Sequence, residues 1–249
     1  MPTVMVVKFT TSITPFEELV ESLNPTIWYK FNETSGDIIN HGSAGAGHNL
    51  SASLSPGTYN VNGHNKTGGA FEFDGGGRFL GAGPSPNDTS YGTIWCAQTI
   101  SNRWMWDVYR GFDGDDLVLQ SGGVGIRWFY SGPGFNDDAF INYPSQPAIN
   151  DGNFHSIALR KNNDANAPDC IVDKGLLTPS IDESGGGDTT RWFDDYTESM
   201  SMGGRGSPDS AGVRSLSKMD EWLYFEGVEL TDEQINSLHD SYFFGANDS

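Results

Sequence analysis

Cysteine is scarce: Cys96 and Cys170 are the only two in 249 residues, far apart and outside any Cys-x-x-Cys spacing. This excludes a disulfide framework and a thiolate zinc site, and leaves two buried free thiols or a single bridge as the readings. Basic charge is scarce as well. Fourteen Lys and Arg against 33 Asp and Glu give a net charge of −19, a field that repels phosphate backbones and anionic headgroups, so neither nucleic acid nor a membrane surface is an expected partner. No apolar run approaches the ~20 residues of a membrane span. The start Met1-Pro2-Thr3-Val4 has neither a basic n-region nor an apolar h-region, so no signal peptide is expected. The five histidines lack metal-ligand spacing, and a Gly-x-Ser-x-Gly elbow and a phosphate loop are both missing.

What is present is glycine (32 residues) and aromatic side chains (12%), the composition of a packed, turn-rich, β-rich protein. Thr14-Pro15-Phe16-Glu17 forms a capping box with proline at the first helical position, and Phe16, Leu19, Val20 and Leu23 recur at helical spacing, so a short amphipathic helix is expected over 15–23. Before it, the run from Val4 to Phe9 reads as a strand with apolar groups on both faces. From Pro25 onward, short alternating or apolar runs are separated by Gly, Asn, Asp and Pro clusters. They predict strands at 27–32, 70–73, 93–98, 104–109, 117–120, 126–130, 155–160, 169–173, 199–203 and 219–225. Thr231-Asp232-Glu233-Gln234 is a second capping box, opening a helix whose apolar face is Ile235, Leu238 and Tyr242. Residues 1–24 are therefore read as an N-terminal extension and 25–249 as one domain.

Several of these segments resemble, in order, the laminin-G-like, concanavalin A-like jelly rolls found in bacterial surface proteins and phage virion proteins. The stretch Pro25 to Gly36, containing Ile27-Trp28-Tyr29-Lys30-Phe31-Asn32, is similar to the family's opening strand and turn, and Gly69-Ala70-Phe71-Glu72-Phe73-Asp74-Gly75 to its second signature. Asn150-Asp151-Gly152-Asn153-Phe154-His155 resembles a turn and strand in which a Trp-His pair usually stands, with Phe154 replacing the Trp. Cys170-Ile171-Val172-Asp173-Lys174-Gly175 resembles the Val-Asp-Gly hairpin, with Lys174 as an insertion. Met219 to Phe225, followed by Leu230 to Ile235, is like the closing strand and helix. The resemblance covers about four-fifths of the chain and implies an all-β fold: a two-sheet antiparallel jelly-roll sandwich with short N-terminal and C-terminal helices.

The same fold hosts lectins, hydrolases and structural modules, so function has to be read from sites. A glycoside hydrolase needs two carboxylates around the scissile bond, and the Glu-x-Asp-x-x-Glu pattern of related endoglucanases is missing. No catalytic residue is assigned. The resemblance implies a structural calcium ion held by Asp220 at the head of the closing strand, with Asp74 joining it; the alternative is that Asp220 accepts hydrogen bonds from loop amides and pins a turn without metal. Strand alternation places Trp104, Trp106 and Val108 on one face and Ile126, Trp128 and Tyr130 on one face, as core residues, which leaves the loop-tip residues Phe112 and Phe135 as candidate glycan contacts. In the closing strand Trp222 and Tyr224 face one way while Leu223 and Phe225 face the other. Both faces are expected to be covered, by the N-terminal segment or by a neighbouring chain, which makes Val4, Val6, Phe9, Leu223 and Phe225 candidate assembly residues.

The expected function is a non-enzymatic structural or adhesion module on a phage virion surface, as a capsid decoration or fibre-associated protein. Its expected partners are other virion proteins or copies of itself, with cell-surface glycans as a further class. Two alternatives stand beside it: a free carbohydrate-binding, lectin-like module and a glycan hydrolase.

Overall fold

The computed structural model describes residues 14–64, 69–83, 91–99, 104–110, 115–122, 125–131, 139–144, 149–162, 167–182, 192, 199–204 and 215–245. Helix α1 (Pro15–Leu23) precedes β1 (Ile27–Tyr29), β2 (Ser51–Ser53), β3 (Gly57–Asn62), β4 (Gly69–Phe73), β5 (Arg78–Gly81) and β6 (Gly92–Thr99). The strands β7 (Trp104–Arg110), β8 (Asp115–Gly122), β9 (Gly125–Ser131) and β10 (Ala139–Pro144) follow. The chain continues through β11 (Phe154–Lys161), β12 (Asp169–Val172), β13 (Gly175–Leu177), β14 (Ser180–Asp182), β15 (Ser199–Met202) and β16 (Lys218–Glu226) to α2 (Asp232–Phe243).

The strands form two antiparallel sheets. One runs β13-β12-β11-β6-β16-β4-β3, with β1 also paired to β16; the other runs β14-β10-β9-β8-β7-β15-β5-β2. Together they make the jelly-roll sandwich that the sequence implies. Both helices start where their capping boxes place them: Thr14 accepts from the Glu17 amide while the Glu17 carboxylate accepts from the Thr14 amide, and Thr231 and Gln234 repeat the exchange. Among the described residues no helix is long and apolar enough to cross a membrane.

Two apolar layers result. The first lies between the sheets and contains Tyr29, Phe71, Phe73, Phe79, Ile94, Trp222 and Tyr224. The second lies between the outer face of the first sheet and the two helices, where Trp95, Leu223 and Phe225 meet Phe16 and Val20 of α1 and Ile235, Leu238 and Tyr242 of α2. The Phe16 ring packs 5.5 Å from Trp95 and 5.4 Å from Tyr242. Leu223 and Phe225 are therefore covered by helices of their own chain, at 0% and 1% exposure. This corrects their assignment as assembly residues, since a side chain packed in cis cannot also face another subunit. Val4, Val6 and Phe9 lie outside the described residues.

Two local readings of the sequence are corrected. A bulge in β7 pairs Trp104 with Gln120 but Trp106 with Leu119, so the strict alternation expected along this strand is interrupted. In the β12–β13 hairpin Val172 pairs with Gly175, so Asp173 and Lys174 are the two turn residues, both left-handed at φ 47° and 69°. Lys174 is thus half of a two-residue turn of the kind that matches strand twist, and not an insertion. Cys96 and Cys170 are free and buried, on strands separated by β11.

Truncating Leu223 to alanine opens a void under both helices. The expected loss is about 2–5 kcal/mol, measured by urea denaturation. A loss no larger than that of an exposed leucine such as Leu54→Ala would show that the helices do not depend on this contact.

Candidate functional site

Chemistry-bearing side chains gather at the helix-covered side of the first sheet. A bulge between Met219 and Glu221 in β16 turns two successive acids toward the helices. Asp220 is fully buried, and its Oδ2 accepts from the Tyr242 hydroxyl at 2.6 Å and from the His64 amide at 3.3 Å. Burial first, and the Asp220 carboxylate second, push the Tyr242 phenol well above its ordinary value. Glu221 Oε2 accepts from the Trp28 indole N–H at 2.7 Å.

Both groups that reach Asp220 Oδ2 are hydrogen-bond donors, whereas calcium takes six to eight oxygen ligands, largely carboxylates and carbonyls. No group of three His, Cys, Asp or Glu able to hold a metal occurs among the described residues. Asp74 is not near either. With Glu72 opposite Lys218 and Phe71 opposite Met219, it falls four positions along the strand from Asp220, about 13 Å away. Its Oδ1 instead accepts from the Gly76 amide at 2.7 Å, closing its own turn. Phe112 and Phe135 lie outside the described residues.

A second cluster joins β11 to the hairpin and to α2. His155 is held at both ring nitrogens, Nδ1 at 2.6 Å from Asp173 Oδ2 and Nε2 at 3.0 Å from Asp151 Oδ1. The Asp173 hydrogen bond raises the His155 pKa, against the opposing effect of burial and with help from Asp151. The Asp151 carboxyl is lowered to about 2, chiefly by the Asn153 amide and side chain and then by His155. Next to it, Ser156 Oγ sits 2.7 Å from His239 Nδ1, and burial lowers the His239 pKa. The three residue types invite comparison with a nucleophilic triad, but the geometry is different. A triad puts the hydroxyl on one ring nitrogen and the carboxylate on the other; here Ser156 Oγ and Asp173 Oδ1 (3.9 Å) both approach Nδ1, and Ser156 is 4% exposed. These contacts dock α2, as do Arg160 to Asp232 at 2.6 Å and Lys174 to Asp240 at 2.7 Å.

The third feature is a groove of about 210 Å³ between the end of α1, β1 and the loop 40–45, lined by Glu21, Asn24, Trp28, Lys30, His41 and Ser43 among others. Its walls are fixed by local bonding that sequence reading missed. Asn40 Oδ1 accepts from the Trp28 and Gly42 amides at 2.9 and 2.8 Å, and its Nδ2 donates to the Gly45 carbonyl at 3.0 Å. The His41, Ser43 and Ala44 amides donate to Trp28, Pro25 and Thr26 carbonyls. The loop lies so close to β1 that a Cβ at Gly42 would stand 2.4 Å from the Thr26 oxygen. On the floor the Lys30 ammonium rests 4.1 Å from the Trp28 ring centre and 2.8 Å from Glu17 Oε1.

No protein-family model matches the chain, and no curated protein matches it in sequence. Similar solved structures exist. One is Trypanosoma rangeli sialidase in complex with sialic acid: 13% identity and a TM-score of 0.56 over 90% of this chain and 34% of that one. Another is botulinum neurotoxin type C, whose cell entry is described as dependent upon interaction with two ganglioside molecules: 13% identity and a TM-score of 0.56 over 89% of this chain and 52% of that one. A botulinum neurotoxin serotype D/C binding domain follows at 12% identity and a TM-score of 0.54, over 89% and 53%. This chain spans about a third of the sialidase and about half of each toxin chain. At such identities the likeness shows the fold.

Two measurements test the site. Because the folded pKa of His155 is raised, its stabilisation is complete below about pH 6.5 and fades as pH rises through the raised value. The melting-temperature gap between the native protein and His155→Gln is therefore expected to narrow from pH 6 to pH 9, and a gap that does not change with pH would sever the linkage. Calcium added after chelation is expected to leave the melting curve where it was; a rise that disappears in Asp220→Asn would restore the metal reading.

Proposed function

We propose that this chain is a non-enzymatic glycan-recognition module. The distribution of acids carries the reading. Glycoside hydrolysis needs a carboxylic acid and a second carboxylate about 5–9.5 Å apart across the bond, but the groove beside β1 has one carboxylate, Glu21. A smaller crevice of about 60 Å³ beneath α2 also has one, Asp232, which is already paired to Arg160. Four further acids near the helices are committed to structural partners: Asp220 to Tyr242, Glu221 to Trp28, Asp151 and Asp173 to His155.

A rigid sandwich whose two grooves, among the described residues, each carry a single carboxylate suits binding without turnover. The saccharide ligands named for the sialidase and the toxin support glycans as the ligand class, by analogy of fold alone. Net charge then discriminates within that class. At −19 the chain opposes an anionic sugar at long range, so neutral glycans are favoured over sialylated ones. The setting we propose is a phage virion surface, with other virion proteins or further copies of the chain as neighbours and residues 1–12, including Val4, Val6 and Phe9, as the arm that meets them.

A glycan array probed with the purified chain is expected to show binding to neutral structures, with no reducing sugar released on prolonged incubation. Steady release of reducing sugar would overturn the non-enzymatic assignment. Silence across the array would remove the glycan reading.

A further inference from the structure

We infer that the groove between α1, β1 and the loop 40–45 is a binding site for one ring of a neutral sugar. The assignment rests on the glycan-recognition reading above and names its site and ligand.

Size sets the first limit. A volume of about 210 Å³ corresponds to about seven waters at their liquid volume, which suits a single sugar ring and falls below the usual range for larger organic ligands. The lining sets the second. Glu21, Asn24, His41 and Ser43 are exposed, and together they present a carboxylate acceptor, a primary amide that both donates and accepts, an imidazole, and a hydroxyl oxygen left to accept because its proton goes to the Pro25 carbonyl at 3.2 Å. Such a set matches alternating hydroxyls around a ring and matches an apolar ligand poorly.

Charge sets the third limit. The one ammonium in the lining is spoken for, since Lys30 is paired with Glu17 at 2.8 Å and lies over Trp28. Partial burial and the neighbouring Lys30 lower the His41 pKa, which works against a second positive charge in the lining. Glu21 is then the unpaired charge of the lining, and a phosphate or a sialic acid carboxylate would meet a like charge on a protein that is already strongly acidic. A lone carboxylate also falls far short of the six to eight oxygens a calcium ion requires.

Rigidity makes the site usable. The Asn40 bonds and the amide donations into β1 and Pro25 fix one wall before any ligand arrives. Asn24, at φ 50° and ψ 64°, is the left-handed cap of α1 and is held by its amide to the Val20 and Glu21 carbonyls. Little ordering is left for the ligand to impose, so even a single ring is held with a dissociation constant on the order of 1 mM, near the weak end of measurable affinity.

The test is an NMR titration of the full chain with glucose, galactose, mannose and N-acetylglucosamine, set against N-acetylneuraminic acid and inorganic phosphate. Saturable shifts of the Trp28 indole and His41 amide signals are expected with at least one neutral sugar. Glu21→Ala and Asn24→Gly should weaken them at least fivefold; both positions are exposed and glycine keeps the left-handed cap, so equal melting temperatures verify the fold. Tighter binding of sialic acid or phosphate, or no shift with any neutral sugar, overturns the assignment. Array binding that both variants leave intact overturns the groove while the glycan reading stands, whereas silence in both array and titration overturns the two together.

Discussion

The structure depends on one strand that has no solvent face. β16 is buried at seven consecutive positions, Met219 to Phe225, and pairs with β6, β4 and β1. Side chains alternate along a strand, so a strand of this kind requires apolar cover on both sides. Trp222 and Tyr224 obtain it from the second sheet, and Leu223 and Phe225 from α1 and α2. The helices are thus obligatory parts of the sandwich. Removing them would expose Trp95, Leu223 and Phe225 together, an apolar patch of the kind that drives association.

The same constraint explains where the buried acids go. A bulge before Glu221 places both Asp220 and Glu221 under the helices, where an unpaired carboxylate is expensive to bury. Each is met by a donor attached to an aromatic ring, the Tyr242 hydroxyl for one and the Trp28 indole for the other. These pairs tie α2 and β1 to the closing strand. Asp173 has a similar dual role. Its backbone makes the left-handed turn of the β12–β13 hairpin while its carboxylate accepts from the Ser156 amide at 3.0 Å and orients His155.

Features encoded by neighbouring residues were legible in the sequence. Both helices carry their start signals within four residues, and the long strands at 92–99, 154–161 and 218–226 carry continuous apolar or alternating patterns, so all of them emerged from local text. Features set by distant partners did not. The three-residue strands such as Ser51–Ser53 and Ser180–Asp182 have no pattern of their own and exist because an edge is available to pair with. The bulges at Trp104/Trp106 and Met219/Glu221 leave no mark in composition, yet each changes which residues share a phase. The groove was missed for the same reason: its wall is organised by Asn40, whose partners Trp28 and Gly45 stand 12 and 5 residues away, and a single asparagine between an isoleucine and a histidine carries no spacing signal.

Electrostatics connects this architecture to the kind of ligand it can hold. Among the described residues, Lys30, Arg160 and Lys174 are each bonded to carboxylates within their own chain, and the buried Lys161 donates to the Asn162 carbonyl. These four cations are spent within the chain, three of them on holding helices and hairpins in place, and the net charge of −19 leaves acidic groups in excess. Outside the screening length of about 8 Å at physiological ionic strength that excess neither steers nor selects a neutral molecule. For the neutral ligand proposed above, discrimination would come from short-range hydrogen bonding against preformed walls, and among the described residues the groove whose shape is fixed by Asn40 and by the close approach of Gly42 to β1 offers such walls.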